Sequence, residues 1–166
     1  MITGPDRWYT VGAYLVASVK DGLSTPVSRY GQVPGEVAWD ECCDGLLAVT
    51  VTRVFLSEEF PIETEAPFGV LCQAPYEVAD FIVTVLRCVP NPSGDGAPPS
   101  AADLDASAAQ LLRDISESMN ALSATLCSLK TSDIISDYMV TPAEPQGPEG
   151  GCVGFNLRIP VSLERL

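Results

Sequence analysis

The chain has 166 residues, of which 46% are hydrophobic and 19% charged, a composition that folds as a single globular domain and excludes intrinsic disorder. Its 22 acidic against 9 basic residues, a formal net charge of −13, exclude a surface built to grip nucleic-acid phosphates or an anionic bilayer. Histidine is absent, which removes the most common general base and metal ligand.

Pro5 to about Lys20 reads as a helix. Pro5 suits a first turn, Trp8, Val11, Leu15 and Val19 share one face, and Gly22 ends it. The apolar run 13–19 lacks a basic leader and is closed by Lys20 and Asp21. It is therefore read neither as a signal peptide nor as a membrane span, and folding in a cytoplasm is expected. Residues 22–45 carry Pro26, Gly31, Pro34 and Gly35 and read as a long ordered connection. Leu46 to about Leu56 is a predicted strand with Leu47, Val49, Val51, Arg53 and Phe55 on one face. An acidic loop with Pro61 and Pro67 follows. Tyr76 to Val89 is a second strand, apolar on both faces for much of its length and therefore central.

Residues 90–100 form a Pro/Gly loop with an expected mobile tip. Ser100 is placed as an N-cap, with Asp103 and Asp105 in the positive first turn. The long helix then runs to about Leu129 on a stripe of Leu112, Ile115, Met119, Leu122, Leu126 and Leu129. A short strand is expected within 134–140, a second Pro/Gly loop at 141–151, and a last strand from Cys152 to Leu163 with one wet face. The order predicts an α+β domain spanning 1–166. Its mixed or antiparallel sheet of about four strands is flanked by a short N-terminal helix and one long central helix.

Catalytic constellations are poor. Gly150-Gly-Cys-Val-Gly154 has the spacing of a nucleophile elbow, but a strand follows it and no histidine can activate Cys152. The acidic pairs Asp40/Glu41 and Glu58/Glu59 read as solvated faces, and neither a Walker loop nor a dinucleotide fingerprint is present. No enzyme activity, cofactor or metal is expected. Cysteines 42, 43, 72, 88, 127 and 152 read first as small buried hydrophobes, ahead of disulfides and of a thiolate zinc site, because the Cys-x-x-Cys knuckle is missing. Trp39 reads as a plug at the core edge, and Cys42-Cys43-Asp44-Gly45 as a bend into the first strand. Ordered loops on a rigid sheet, without chemistry, suit a building block that makes contacts.

Five blocks carry a resemblance: Val33-Pro-Gly-Glu-Val-Ala-Trp-Asp-Glu-Cys-Cys-Asp-Gly-Leu-Leu-Ala-Val49, Phe60-Pro, Ala74-Pro-Tyr-Glu-Val-Ala, Arg87-Cys-Val-Pro90 and Gly147-Pro-Glu-Gly-Gly-Cys-Val-Gly154. In order and spacing they resemble the tail terminator proteins of long-tailed bacteriophages that infect actinobacteria, over most of the chain from about Arg29. The chain departs from that pattern at Cys42-Cys43, where the family would have a residue between the cysteines and a polar residue after the glycine. The resemblance implies a mixed sheet flanked by helices and a structural role at the head–tail junction of the virion. There a ring, typically of six copies, caps the completed tail tube and meets the head-completion (stopper) protein. DNA would only pass through its lumen, and six times −13, or −78 formal charges, would repel the phosphates. Another neck component, such as a connector or stopper, is the nearest rival reading. A small cysteine hydrolase using Cys152 and a zinc-bound adaptor are further ones. Ring contacts are expected from the connection Arg29–Asp44 (with Trp39, Asp40 and Glu41) and the Glu58-Glu59-Phe60 edge. These would meet a neighbour's Arg53, Arg87 or Arg158.

Overall fold

The computed structural model describes residues 6–64, 75–92 and 96–164. Two helices and six strands follow in the order α1 (Arg7–Gly22), β1 (Arg29–Gln32), β2 (Leu46–Ser57), β3 (Tyr76–Cys88), α2 (Ala101–Thr131), β4 (Asp137–Tyr138), β5 (Glu144–Glu149) and β6 (Cys152–Glu164). The class is α+β, as expected. The strands form one mixed sheet in the order β1-β2-β3-β6-β4, with β5 also pairing with β6. Antiparallel β2, β3 and β6 are its three long strands, and β3 is central because its two faces are both apolar.

Both helices pack on one face of this sheet. Val11, Leu15 and Val19 of α1 and Leu122, Leu126 and Leu129 of α2 bury against Leu47, Val49, Phe81, Val83, Phe155, Leu157 and Ile159. Thr125 Oγ1 donates to Ser18 Oγ at 2.8 Å where the helices touch. Ser100 caps α2 through a reciprocal bond with Asp103, as its position in the sequence anticipates. The predicted stripe drifts at its start, however. Leu112 is 63% exposed, and Asp114 and Ser118 take the buried line instead.

Two short strands lie where connections are expected. β1, inside the 22–45 connection, runs parallel to β2, with Arg29 opposite Leu46 and Gln32 opposite Val49. Parallel neighbours need a long return, and residues 33–45 provide it. β5, inside the 141–151 loop, contains Pro145 and Pro148, which an edge strand tolerates because one of its sides needs no ladder donors. The expected mobile tip of the 90–100 loop and most of the acidic loop, with Cys72 and Pro67, lie outside the described residues.

The prediction for β2 fails at one residue. Thr52 is an extra residue in the ladder: Val51 pairs with Phe81 and Arg53 with Asp80. This β-bulge moves Arg53 and Phe55 off the helix-covered face and onto the second face, beside Asp80 and Val78. Thr52 Oγ1 donates to Asp80 O at 3.2 Å, so the bulge is anchored. Deleting Thr52 would restore strict alternation with Arg53 following Val51 directly, so Arg53 would still pair with Asp80 on the second face. Denaturant unfolding is expected to show a loss of no more than about 1.5 kcal/mol, the worth of the Thr52 Oγ1 hydrogen bond; a loss of about 3–5 kcal/mol, the cost of a buried charge without its partner, would contradict this register.

Candidate assembly interface

The centre of the second face carries a charged triad built by three neighbouring strands. Asp80 on β3 is buried, with its side chain 2% exposed. Its Oδ2 accepts from Arg53 Nε at 2.5 Å and from Arg158 Nη2 at 2.7 Å. The two guanidinium side chains stay half in solvent, at 46% and 44%. Arg53 also lies 4.6 Å over the Phe55 ring and donates to Glu63 at 2.8 Å. The hydrogen bond to Asp80 raises the Arg53 pKa above its ordinary value, so the group stays cationic throughout. Asp80 Oδ1 is buried without a hydrogen-bond partner among the described residues. Two positive groups thus share one anchored negative group, and with Glu63 on Arg53 the patch is balanced in charge while both guanidinium groups stay half-exposed.

The Glu58-Glu59-Phe60 edge lies elsewhere, at the end of the sheet. It lines a cleft of about 680 Å³ together with Lys130, Asp133, Asp137 and Glu164. Five carboxylates and one ammonium leave this cleft net negative, unlike the charge-balanced arginine cluster. Lys130 Nζ donates to Asp137 Oδ1 at 2.8 Å. That bond, with the Tyr138 N–H, holds the Asp137 carboxyl below its ordinary pKa despite partial burial.

The remaining expected contact residues divide. Arg29 at the start of β1 donates to Asp40 O and Oδ1 at 3.1 and 3.2 Å and lies 3.7 Å from Glu41. Arg29, Asp40 and Glu41 therefore form an exposed internal cluster. Trp39 is half-buried beside Leu46 and Leu86. With Thr50, Ile82, Thr84, Asn156 and Glu149 it walls a groove of about 850 Å³. Gly150 approaches Trp39 so closely that a Cβ there would sit 2.6 Å from Trp39 O, which explains the glycine turn before β6.

Arg87 is the one candidate that the fold withdraws. It points under the helices and donates from Nε to Asp114 Oδ2 at 2.8 Å, from Nη1 to Pro26 O at 2.9 Å and from Nη2 to Thr25 O at 2.6 Å. Its side chain is 11% exposed and cannot reach a neighbouring subunit. It joins β3, α2 and the approach to β1, a structural task. The partners that sequence reasoning missed are Asp80 and Asp114. A single Asp inside the apolar run Val78-Ala-Asp-Phe-Ile-Val83 was the available sign for the first.

The cysteine expectation is also corrected. Cys42 bonds to Cys152 and Cys43 to Cys88, while Cys127 is free and exposed. In this bonded form no group of three or more His, Cys, Asp or Glu side chains among the described residues is set to hold a metal ion. The elbow reading of Cys152 loses its nucleophile, because the sulfur is bonded and buried. No helix of the described residues is long and apolar enough to cross a membrane.

Two expectations follow. Arg87→Ala should cost about 3–5 kcal/mol in denaturant unfolding, since it strands buried Asp114, whereas Arg158→Ala should cost far less. Lys130→Met should raise the Asp137 pKa toward its ordinary value in an NMR titration. The depressed folded-state pKa means that this pair stabilises the fold above the unfolded pKa, and that its contribution fades as pH falls through the folded one. An unmoved Asp137 titration would show that the bond is not formed. A comparison with protein-family models found no match to this chain, and a search of curated proteins found no matching sequence.

Proposed function

We propose that this chain is a structural virion protein, the tail terminator of a long-tailed bacteriophage. In this reading several copies, six by family precedent, close a ring on the head-proximal end of the tail tube. The ring stops tube growth and offers its other side to the head-completion protein, while DNA only passes through the lumen. The protein would assemble in the host cytoplasm and end at the virion neck.

The observation that carries the reading is a pair of unlike surfaces, one offering two half-exposed guanidinium groups and the other a net acidic cleft. Arg53 and Arg158 stand half-exposed around Asp80, and the Glu58/Glu59 cleft lies at a different place on the same rigid sheet. A ring of identical subunits joins one patch to a different one, and complementary charge sets which patch meets which. The five sequence blocks and the α+β architecture add to it.

The test is a deletion of the gene from its phage, with the lysate viewed by electron microscopy. Filled heads beside tails of excessive, uncontrolled length are expected. Tails of normal length that fail to join heads would move the protein to the head side of the neck, as a stopper or connector. Intact infectious virions would overturn both readings. Complementation with Glu58→Lys/Glu59→Lys, an exposed pair whose reversal spares the core, should leave tails uncapped by at least tenfold more often than the parent chain, on the order of 1.4 kcal/mol or more in contact energy. Normal capping by that variant would remove the patches from the mechanism.

A further inference from the structure

Four of the six cysteines meet at one end of the sheet, delivered by three separate segments. Cys88 ends β3 and Cys152 opens β6, and the two are direct partners in the antiparallel register, which places their Cα atoms roughly 4.5–5.5 Å apart. Cys42 and Cys43 arrive together on the return between β1 and β2. The Cys42 Cα lies 6.0 Å from that of Cys152, and the Cys43 Cα lies 4.3 Å from that of Cys88. All four sulfurs therefore occupy one small volume.

The surroundings resemble those of a ligand set more than those of two independent staples. Both disulfides fasten the same dipeptide to the same strand pair, so the second creates no new joint between segments. Val37, Trp39, Leu46 and Leu86 pack around Cys42 and Cys152 and keep water away. Gly45, at φ 82°, lets its N–H close a tight turn onto Cys42 O at 2.9 Å just after the cysteine pair. A chain of 166 residues with a continuous core needs no covalent closure to fold.

We propose that in its reduced form this chain holds one zinc ion on Cys42, Cys43, Cys88 and Cys152. Zinc takes four thiolates at about 2.3 Å, which sets the sulfurs about 3.8 Å apart around it. Each bonded pair must therefore separate by somewhat under about 2 Å, starting from a disulfide of about 2.0 Å. The chemistry balances with a thiol reductant. Each disulfide takes up two electrons and two protons from two reductant thiols, which leave as their own disulfide. A zinc ion then displaces the four thiol protons to give a tetrathiolate of net charge −2. Removal of four electrons by a disulfide-class oxidant reverses the process, releases the ion and restores the two bonds seen here. Cys127 on α2, exposed and outside the cluster, takes no part. The assignment stands whether or not the chain caps a tail.

The test uses the full chain, expressed with added zinc and purified without air in a phosphine reductant, with zinc measured by mass spectrometry. About one zinc per chain is expected, retained by Cys127→Ser and lost from Cys43→Ser and Cys88→Ser. Diamide should release the ion as two disulfides form. A reduced chain that stays metal-free in excess zinc while its four thiols titrate freely would overturn the site, as would two disulfides that survive the reductant. Should the serine variants not fold, cobalt added to the reduced parent chain decides. Intense thiolate charge-transfer bands with tetrahedral cobalt spectra support the site, and a weak octahedral spectrum refutes it.

Discussion

A guanidinium beneath two helices is the constraint around which this fold is arranged. Arg87 on β3 and Asp114 on α2 are both withdrawn from water. Neither could be placed there alone, because an uncompensated buried charge costs several kcal/mol. The carbonyls of Thr25 and Pro26 take two further N–H groups, and Gln110 donates to Asp114 Oδ1 at 2.8 Å. One side chain thereby fixes the height of the long helix over the sheet and the path by which the chain leaves α1 for β1. The same strand turns its next residue, Cys88, to the opposite face, so two adjacent positions tie down both sides of β3.

The second face then carries what the first cannot. Among the described residues the 33–45 return covers it at one end, and its middle holds the Arg53–Asp80–Arg158 triad. The bulge at Thr52 is what puts Arg53 there. Were Thr52 to take a place of its own in the ladder, the period of β2 would turn the guanidinium to the helix-covered face and leave Asp80 with a single arginine partner. A local irregularity in one ladder thus decides where a second half-exposed guanidinium reaches the surface of an acidic protein. The proposed ring contact depends on that placement.

The elements that could be read from the sequence were those with a sustained period. The α1 stripe, the apolar β3, the alternating β6 and the capped start of α2 each repeat one rule over three or more turns or pairs. Interruptions were illegible. β1 is four residues with little apolar content and gains its strand form from pairing with β2. β5 hides behind two prolines, which read as loop because their tolerance on an edge depends on where the sheet stops. Leu112 fits the helical stripe but faces solvent, while its neighbours Leu111 and Ile115 pack on the core, and Asp114 is buried only because Arg87 reaches it. Of the candidate interface, the exposed acidic edge and the two strand arginines were visible by residue type. Their separation into two patches, and the loss of Arg87 to the interior, required the register. The meeting of Cys42-Cys43 with Cys88 and Cys152 required the β3–β6 pairing.

The internal use of positive charge has a colloidal consequence. Seven of the eight described lysines and arginines have a carboxylate within 4 Å: Arg7, Lys20, Arg29, Arg53, Arg87, Lys130 and Arg158. The excess of acid therefore faces outward nearly undiluted, and at long range every copy of this chain presents the same sign to every other. Two copies approaching freely are largely screened from each other beyond about a Debye length, roughly 8 Å at physiological salt and about 30 Å at 0.01 M, and repel inside it. Local attraction between unlike patches acts only inside that distance. Encounter between free copies is thus slow in dilute salt, while a surface that already holds one copy in place spares the next the search over orientations. A strongly acidic exterior of this kind favours growth on a template over spontaneous closure in solution.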